Sequence, residues 1–220
     1  MTAVARRFPD WDWLASHGGE VAAQLSEHVE LTALAVAAGF LVAVPLALLA
    51  RRVPPLRGPL LGFTGVLYTV PALALFVLLL PFVGLSRANP VIGLTIYSLL
   101  ILLRNTLVGL EGVPAEVRES ALAMGHTRRQ LLWRVEVPVA LPAIVAGVRL
   151  ATVSTVGLVT ITALIGYGGL GQLILRGFNR TNATQLVAGL VLSVALAAVA
   201  DVALAWAQRR LTPWQESRTA

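Results

Sequence analysis

The chain contains neither cysteine nor lysine in its 220 residues. The first absence excludes disulfides and thiolate metal sites, and leaves the redox compartment unread. The second excludes a phosphate-loop lysine and a lysine Schiff base, since all 17 basic residues are arginine. Histidine is sparse too: His17, His28 and His126 are scattered and no HExxH occurs, so no metal site is expected. Charged residues make up only 13% of the chain against 57% hydrophobic, with a mean hydropathy of +0.79. This excludes an ordinary soluble domain and fits a membrane protein. The net charge of +6 is read as loops facing anionic lipid rather than as a nucleic-acid surface.

A helix needs about 20 apolar residues to cross a bilayer. Five segments qualify, roughly residues 29–50, 59–80, 90–110, 139–165 and 184–208, so the expected fold is an all-α membrane protein of about five transmembrane helices. Pro45 and Pro71 fall inside spans, where neighbouring helices tolerate kinks. Residues 1–28 hold no apolar core of signal-peptide type. Trp11 and Trp13 there suit a short interfacial helix. The chain thus divides into an N-terminal segment 1–28, a transmembrane domain 29–208 and a tail 209–220.

Arginine counts set the orientation. Arg51, Arg52, Arg57, Arg118, Arg128, Arg129, Arg134, Arg209, Arg210 and Arg218 fall in one set of loops. Arg6, Arg7, Arg87, Arg176 and Arg180 fall in the other. The richer set is expected in the cytoplasm, which puts the N-terminus outside and the C-terminus inside a cell membrane. Arg6 and Arg7 run against that assignment.

One polar insert interrupts the apolar runs, residues 111–138, and it falls on the expected cytoplasmic side. Pro114 suits the first turn of a helix. Val117, Ala121 and Met124 follow at helical spacing, and Gly125 stands where a left-handed cap would end it. Thr127-Arg128-Arg129-Gln130 is a capping-box pattern, opening a second short helix that Pro138 and Pro142 are expected to stop. Two readings stand. An amphipathic basic loop can lie on lipid. Alternatively, the small residues Ser120, Ala121, Ala123 and Gly125 leave a low surface for close approach by another protein.

The run Glu119-Ser120-Ala121, three residues, Gly125, nine residues, Val135-Glu136-Val137-Pro138 resembles the EAA signature of ABC importer permeases, with Ser120, Val135 and Val137 as conservative departures. Further stretches are similar to the osmoprotectant branch, which carries glycine betaine, carnitine, choline and proline betaine. They are Tyr68-Thr69-Val70-Pro71-Ala72-Leu73-Ala74-Leu75, Leu103-Arg104-Asn105-Thr106 with Gly109, and Leu141-Pro142-Ala143-Ile144 with Ala146-Gly147. Ala163 to Gly171 and Leu211-Thr212-Pro213-Trp214 add to them. Methionine-importer permeases share the loop and the glycine run but are less similar elsewhere.

The resemblance implies a type I importer transmembrane domain whose loop is a coupling helix docking on a separate ATP-binding subunit. Glu119, Ser120, Ala121, Gly125, Val135 and Pro138 would serve that docking. It implies that ATP and magnesium bind to the partner, with no cofactor in this chain. It also implies an extracytoplasmic substrate-binding protein and a second permease copy or paralogue. The nearest alternative is a methionine or other amino-acid importer permease, and from another class the alternative is an ATPase-independent carrier or channel. Carriers are usually longer and built on inverted repeats, and no internal repeat is evident here.

Other features carry two readings each. Gly166, Gly168, Gly169 and Gly171 form either an outer gate or a tight turn. They are not a dinucleotide fingerprint, because a span rather than a strand precedes them. Tyr68, Tyr97, Asn105, Ser154 and Thr155 are candidates for a substrate path, the tyrosines through cation–π contacts to a quaternary ammonium. The hydroxyls equally serve helix packing, and the tyrosines interfacial anchoring. Asp201 is the only acid deep in a span and needs a partner. Arg149 lies at a similar depth, about 10–12 Å at 1.5 Å per residue, on the preceding span and is preferred over Arg104.

Overall fold

The computed structural model describes residues 9–213. Arg6, Arg7, Trp214 and Arg218 lie outside the described residues. The opening helix α1 (Trp11–Ser16) is capped by the Asp10 carboxylate, which accepts from the Trp13 amide. Trp11 is exposed and Trp13 stacks on His17, 4.6 Å between centroids.

The second helix, α2, runs Gly18–Arg52 without a break, through Pro45. It therefore begins well before residue 29, and the N-terminal segment is not separate from the first span. Its polar first turns are held by contacts remote in sequence. Arg176 pairs with Glu20 at 2.6 Å, the Gly168 amide donates to Glu27, and the buried His28 ring meets the Val156 carbonyl at 3.0 Å.

The second expected span is broken rather than kinked. After a 3-10 turn (Pro54–Leu56), α3 (Arg57–Thr69) and α4 (Ala72–Val83) meet at 99°. Proline at 71 lacks an amide hydrogen and pushes Val70 into the extended region, ψ 130°, so the helical ladder ends there. The third span is α5 (Ala88–Glu111).

The insert follows as α6 (Ala115–Ala123) and α7 (Arg128–Leu131). Pro138 and Pro142 do not stop the second of these. A π turn, Leu132–Glu136, leads straight into α8 (Val137–Val159) and a 3-10 turn (Thr160–Ile165), one helical course from Arg128 to Ile165. The wider π turn relieves the clash and missing donor that Pro138 would impose on a regular helix. A ten-residue helix not expected from the sequence, α9 (Leu170–Asn179), precedes α10 (Ala183–Leu211). Among the described residues, four helices are long and apolar enough to cross a membrane, and the bent α3–α4 pair adds a fifth if it is counted as one broken span.

The bundle is built around α5, which packs on α2, α8, α3 and α4, while α10 packs on α8 and α9. Alanines of α2 (Ala43, Ala47, Ala50) face leucines of α5 (Leu102, Leu103, Leu107) and Ala151 of α8. Small residues let backbones approach, the usual solution in lipid. A Cβ at Gly147 of α8 would lie 2.5 Å from that of Asn105, and one at Gly109 of α5 would lie 2.9 Å from the Ala140 carbonyl. Connectivity places Arg51, Arg52, Arg57, Arg118, Arg128, Arg129, Arg134, Arg209 and Arg210 at one end of the bundle. Arg87, Arg176 and Arg180 lie at the other.

Candidate functional site

The insert folds as a corner at the arginine-rich end. Gly125 adopts φ +85°, and the chain closes around it with two bonds, Gly125 N–H to the Leu122 carbonyl and His126 N–H to the Ala121 carbonyl. These are the two bonds of a Schellman cap. Thr127 and Gln130 then cap each other reciprocally to start α7.

The corner turns its surface outward. Glu119, Ser120, Ala123 and Gly125 are exposed, beside Leu122, Met124 and Trp133 at 47%, 73% and 56% exposure. These large apolar side chains stand uncovered on a polar, charged loop. Of the apolar set Val117, Ala121 and Met124, only Ala121 is buried, while Val117 and Met124 are exposed. Val135 and Pro138 are half-buried in the course from the π turn into α8.

Beneath the loop lies a feature the sequence did not single out. Glu136 is 1% exposed and accepts from both terminal nitrogens of Arg51 at the end of α2. Arg118 of α6 comes within 3.3 Å of the same carboxylate and donates to the Leu110 carbonyl at the end of α5, 2.9 Å away. The available signal was Glu136 itself, an acid inside the apolar run Val135-Glu136-Val137, which requires a partner.

At the α3–α4 break a hollow of about 460 Å³ opens, lined by Tyr68, Val70, Tyr97, Ser154, Gly157 and Ile161 among others. The break leaves the Val70 carbonyl without a helical partner, and the Tyr97 hydroxyl donates to it. Tyr97 is buried, whereas Tyr68 is 41% exposed and meets it edge-on at 5.8 Å. Non-helical backbone at membrane depth is tolerated where it lines a cavity. Tyr68, Tyr97 and Ser154 thus come together. Asn105 does not join them: it packs on Gly147 and donates to the Ile101 carbonyl. Thr155 is buried and does not line the hollow.

At the opposite end the glycine run is a packing joint. Gly166, Gly168 and Gly169 have φ of +89°, +137° and +49°. A Cβ on Gly169 would lie 2.6 Å from the Gln24 carbonyl and from His28, and one on Gly171 would lie 2.4 Å from the Thr160 carbonyl. The run presses α9 onto α2 and the 3-10 turn, and Gln172 closes it by donating to the Ala163 carbonyl.

Between the ends, Arg149 donates to both oxygens of Asp201 and to Gln208. Arg104 is exposed and forms no salt bridge among the described residues.

Residues 35–214 match the family described as the binding-protein-dependent transport system inner membrane component. The chain is 36% identical over 201 residues to the choline transport system permease protein OpuBB of Bacillus subtilis (strain 168), covering 91% of this chain and 93% of that protein. It is 36% identical to the carnitine transport permease protein OpuCD of Listeria monocytogenes, covering 94% and 93%. It is 37% identical to the osmoprotectant import permease protein OsmW of Salmonella typhimurium, covering 91% and 96%. Among solved structures, inward-facing forms of the MetNI methionine ABC transporter share the fold, with a TM-score of 0.79 at 23% identity over 90% of this chain and 98% of that one.

Proposed function

The chain belongs to the binding-protein-dependent transport system inner membrane component family, and from that premise we propose that it is the membrane-spanning permease subunit of an ABC importer for a compatible solute of the quaternary ammonium type. Relatives named for choline, carnitine and osmoprotectant import, each matching more than nine-tenths of the chain, support the substrate class. The observation that carries the mechanism is the outward-facing corner around Gly125, an apolar-studded surface with nothing among the described residues to cover it. Its occupant in this reading is the ATP-binding subunit, which holds ATP and its magnesium ion.

The mechanism then uses four parts of the chain. Closure of the ATP-binding subunits displaces the corner, and the helical course from Arg128 to Ile165 carries that displacement across the membrane. At the opposite end, the surface at the exposed Gly166, above the packed Gly168, Gly169 and Gly171, meets a substrate-binding protein. A second permease copy or paralogue completes the path, since one subunit of five crossings encloses too little space. The Tyr68 ring at the α3–α4 hollow offers the cation a π face. The arginine-rich end faces the cytoplasm, with the N-terminus outside.

The deciding experiment reconstitutes the chain with its ATP-binding subunit and binding protein in proteoliposomes. ATP-dependent uptake of choline, carnitine or glycine betaine is expected, with no hydrolysis by the isolated chain. Uptake driven by an ion gradient without ATP, or uptake of methionine in place of these solutes, would overturn the proposal.

A further inference from the structure

Among the described residues, Glu136 is the only acid that is buried. A buried ion pair can often be replaced by apolar side chains at little or no loss of stability, so stability alone is a weak reason for one, and its partners are informative. They come from three helices. Arg51 brings the end of α2, Arg118 brings α6, and the second arm of Arg118 holds the Leu110 carbonyl in the last turn of α5. The packing of α6 itself is against α7 and the π turn. Arg118 thus links the loop helix to α5 and, through Glu136, to α2.

The two halves of this cluster are unequal. The Arg51 fork is complete, both terminal nitrogens donating to Glu136. The Nε of Arg118 is buried near the carboxylate but lacks a hydrogen bond. Arg51 thus holds the carboxylate by a two-pronged fork, and Arg118 meets it by a single contact of 3.3 Å.

We propose that Arg51, Glu136 and Arg118 form the joint that passes displacement of the loop helix to α2 and α5, with Arg118 as the positioning residue on the moving side. The proposal rests on the permease reading above. Without the joint, α6 still pushes on the α7–α8 course through packing, and α2 and α5 follow only through their packing on α8, without a direct tie to the loop helix.

The test uses the complete transporter in proteoliposomes and three forms of this chain: wild type, Arg118→Gln and Arg118→Lys. Solute uptake, ATP hydrolysis and recovery of assembled complex are measured together. Arg118→Gln is expected to assemble and hydrolyse ATP as wild type does, while uptake per ATP falls about ten-fold, in the usual range of coupling between sites. Arg118→Lys is expected to recover much of the loss, because the ammonium keeps a positive charge beside Glu136. Unchanged uptake per ATP in Arg118→Gln overturns the joint. So does a loss of uptake that only tracks a loss of assembled complex, or a lysine variant no better than glutamine. Absence of ATP-driven uptake in the wild type overturns the permease reading itself, an outcome distinct from failure of the joint.

Discussion

Arg149 Nε and Nη2 lie 3.0 Å from the two carboxylate oxygens of Asp201, a bidentate pair that ties α8 to α10. Gln208 extends the tie, accepting from Arg149 and donating to the Pro142 carbonyl. Both partners of the pair are partly exposed, at 30% and 41% of their side chains, so it is worth less than a fully enclosed one. Polar contacts between membrane helices average roughly 0.6 kcal/mol and reach about 1.7. Asp201→Asn is expected to cost a stability within that range and to lower the detergent melting temperature, with substrate affinity little changed. Arg149→Gln added to it should do little more harm. Fully additive losses in the double-mutant cycle would show that the two residues act separately.

Gly125 sits at φ +85° with nothing near the position a Cβ would take. Substitution there tests conformation without a clash. Valine in the left-handed region costs about 1–2 kcal/mol and should displace the corner, whereas asparagine tolerates that region. Gly125→Val is expected to abolish most uptake in cells with the chain still at normal abundance in the membrane. Gly125→Asn is expected to retain uptake. Glu119→Lys, on the exposed face of the same corner, should lose uptake without loss of insertion. Normal uptake in both Gly125→Val and Glu119→Lys would reduce the corner to a surface loop.

The two tyrosines at the α3–α4 break carry different loads. Tyr97 is buried with its hydroxyl on the Val70 carbonyl, and Tyr68 presents its ring to the hollow. A cation–π contact of about 0.5–2 kcal/mol corresponds to roughly two- to thirty-fold in affinity. Tyr68→Ala is expected to raise the apparent KM for a quaternary ammonium solute within that range, and Tyr68→Phe to leave it near wild type. Equal effects of the two changes would remove the ring from recognition.

Gly169 is bounded by backbone on two sides, the Gln24 carbonyl and the His28 amide, both 2.6 Å from where an added methyl would sit. Neither can swing aside as a side-chain tip would. Gly169→Ala is expected to cost about 1–3 kcal/mol through overpacking and strain at φ +49°. A melting temperature lower by several degrees in detergent is the measurement, and an unchanged value would mean that α9 can retreat from α2.

Features set by neighbours in sequence were legible there. Gly125 and the Thr127–Gln130 box depend on residues one turn away, and both appear as local pattern. The four long spans were visible as apolar runs. Features set by distant partners were not. The first turns of α2 are polar and become helical through Glu20–Arg176 and Glu27–Gly168, pairs more than 140 residues apart. The α9 helix is too short for a span search, although Leu170, Leu173, Ile174 and Gly177 carry helical spacing. Pro71 was visible as a perturbation, but whether proline kinks or breaks a helix depends on what receives the freed carbonyl, here the Tyr97 hydroxyl. Glu136 stands in an apolar run and needs a partner, but nothing beside it in the sequence indicates which arginine supplies it.

The unbroken course from Arg128 to Ile165 has a consequence for leverage. Arg149 sits along it, about 30 Å from the loop end and about 25 Å from the other at 1.5 Å per residue. Were the ion pair with Asp201 to act as a pivot, the course would behave as a seesaw with its fulcrum at that point. A tilt of about 10° about such a fulcrum swings the two ends some 4–5 Å in opposite directions. Opening on one side of the membrane and closing on the other would then be a single rotation, with no signal to relay between two gates.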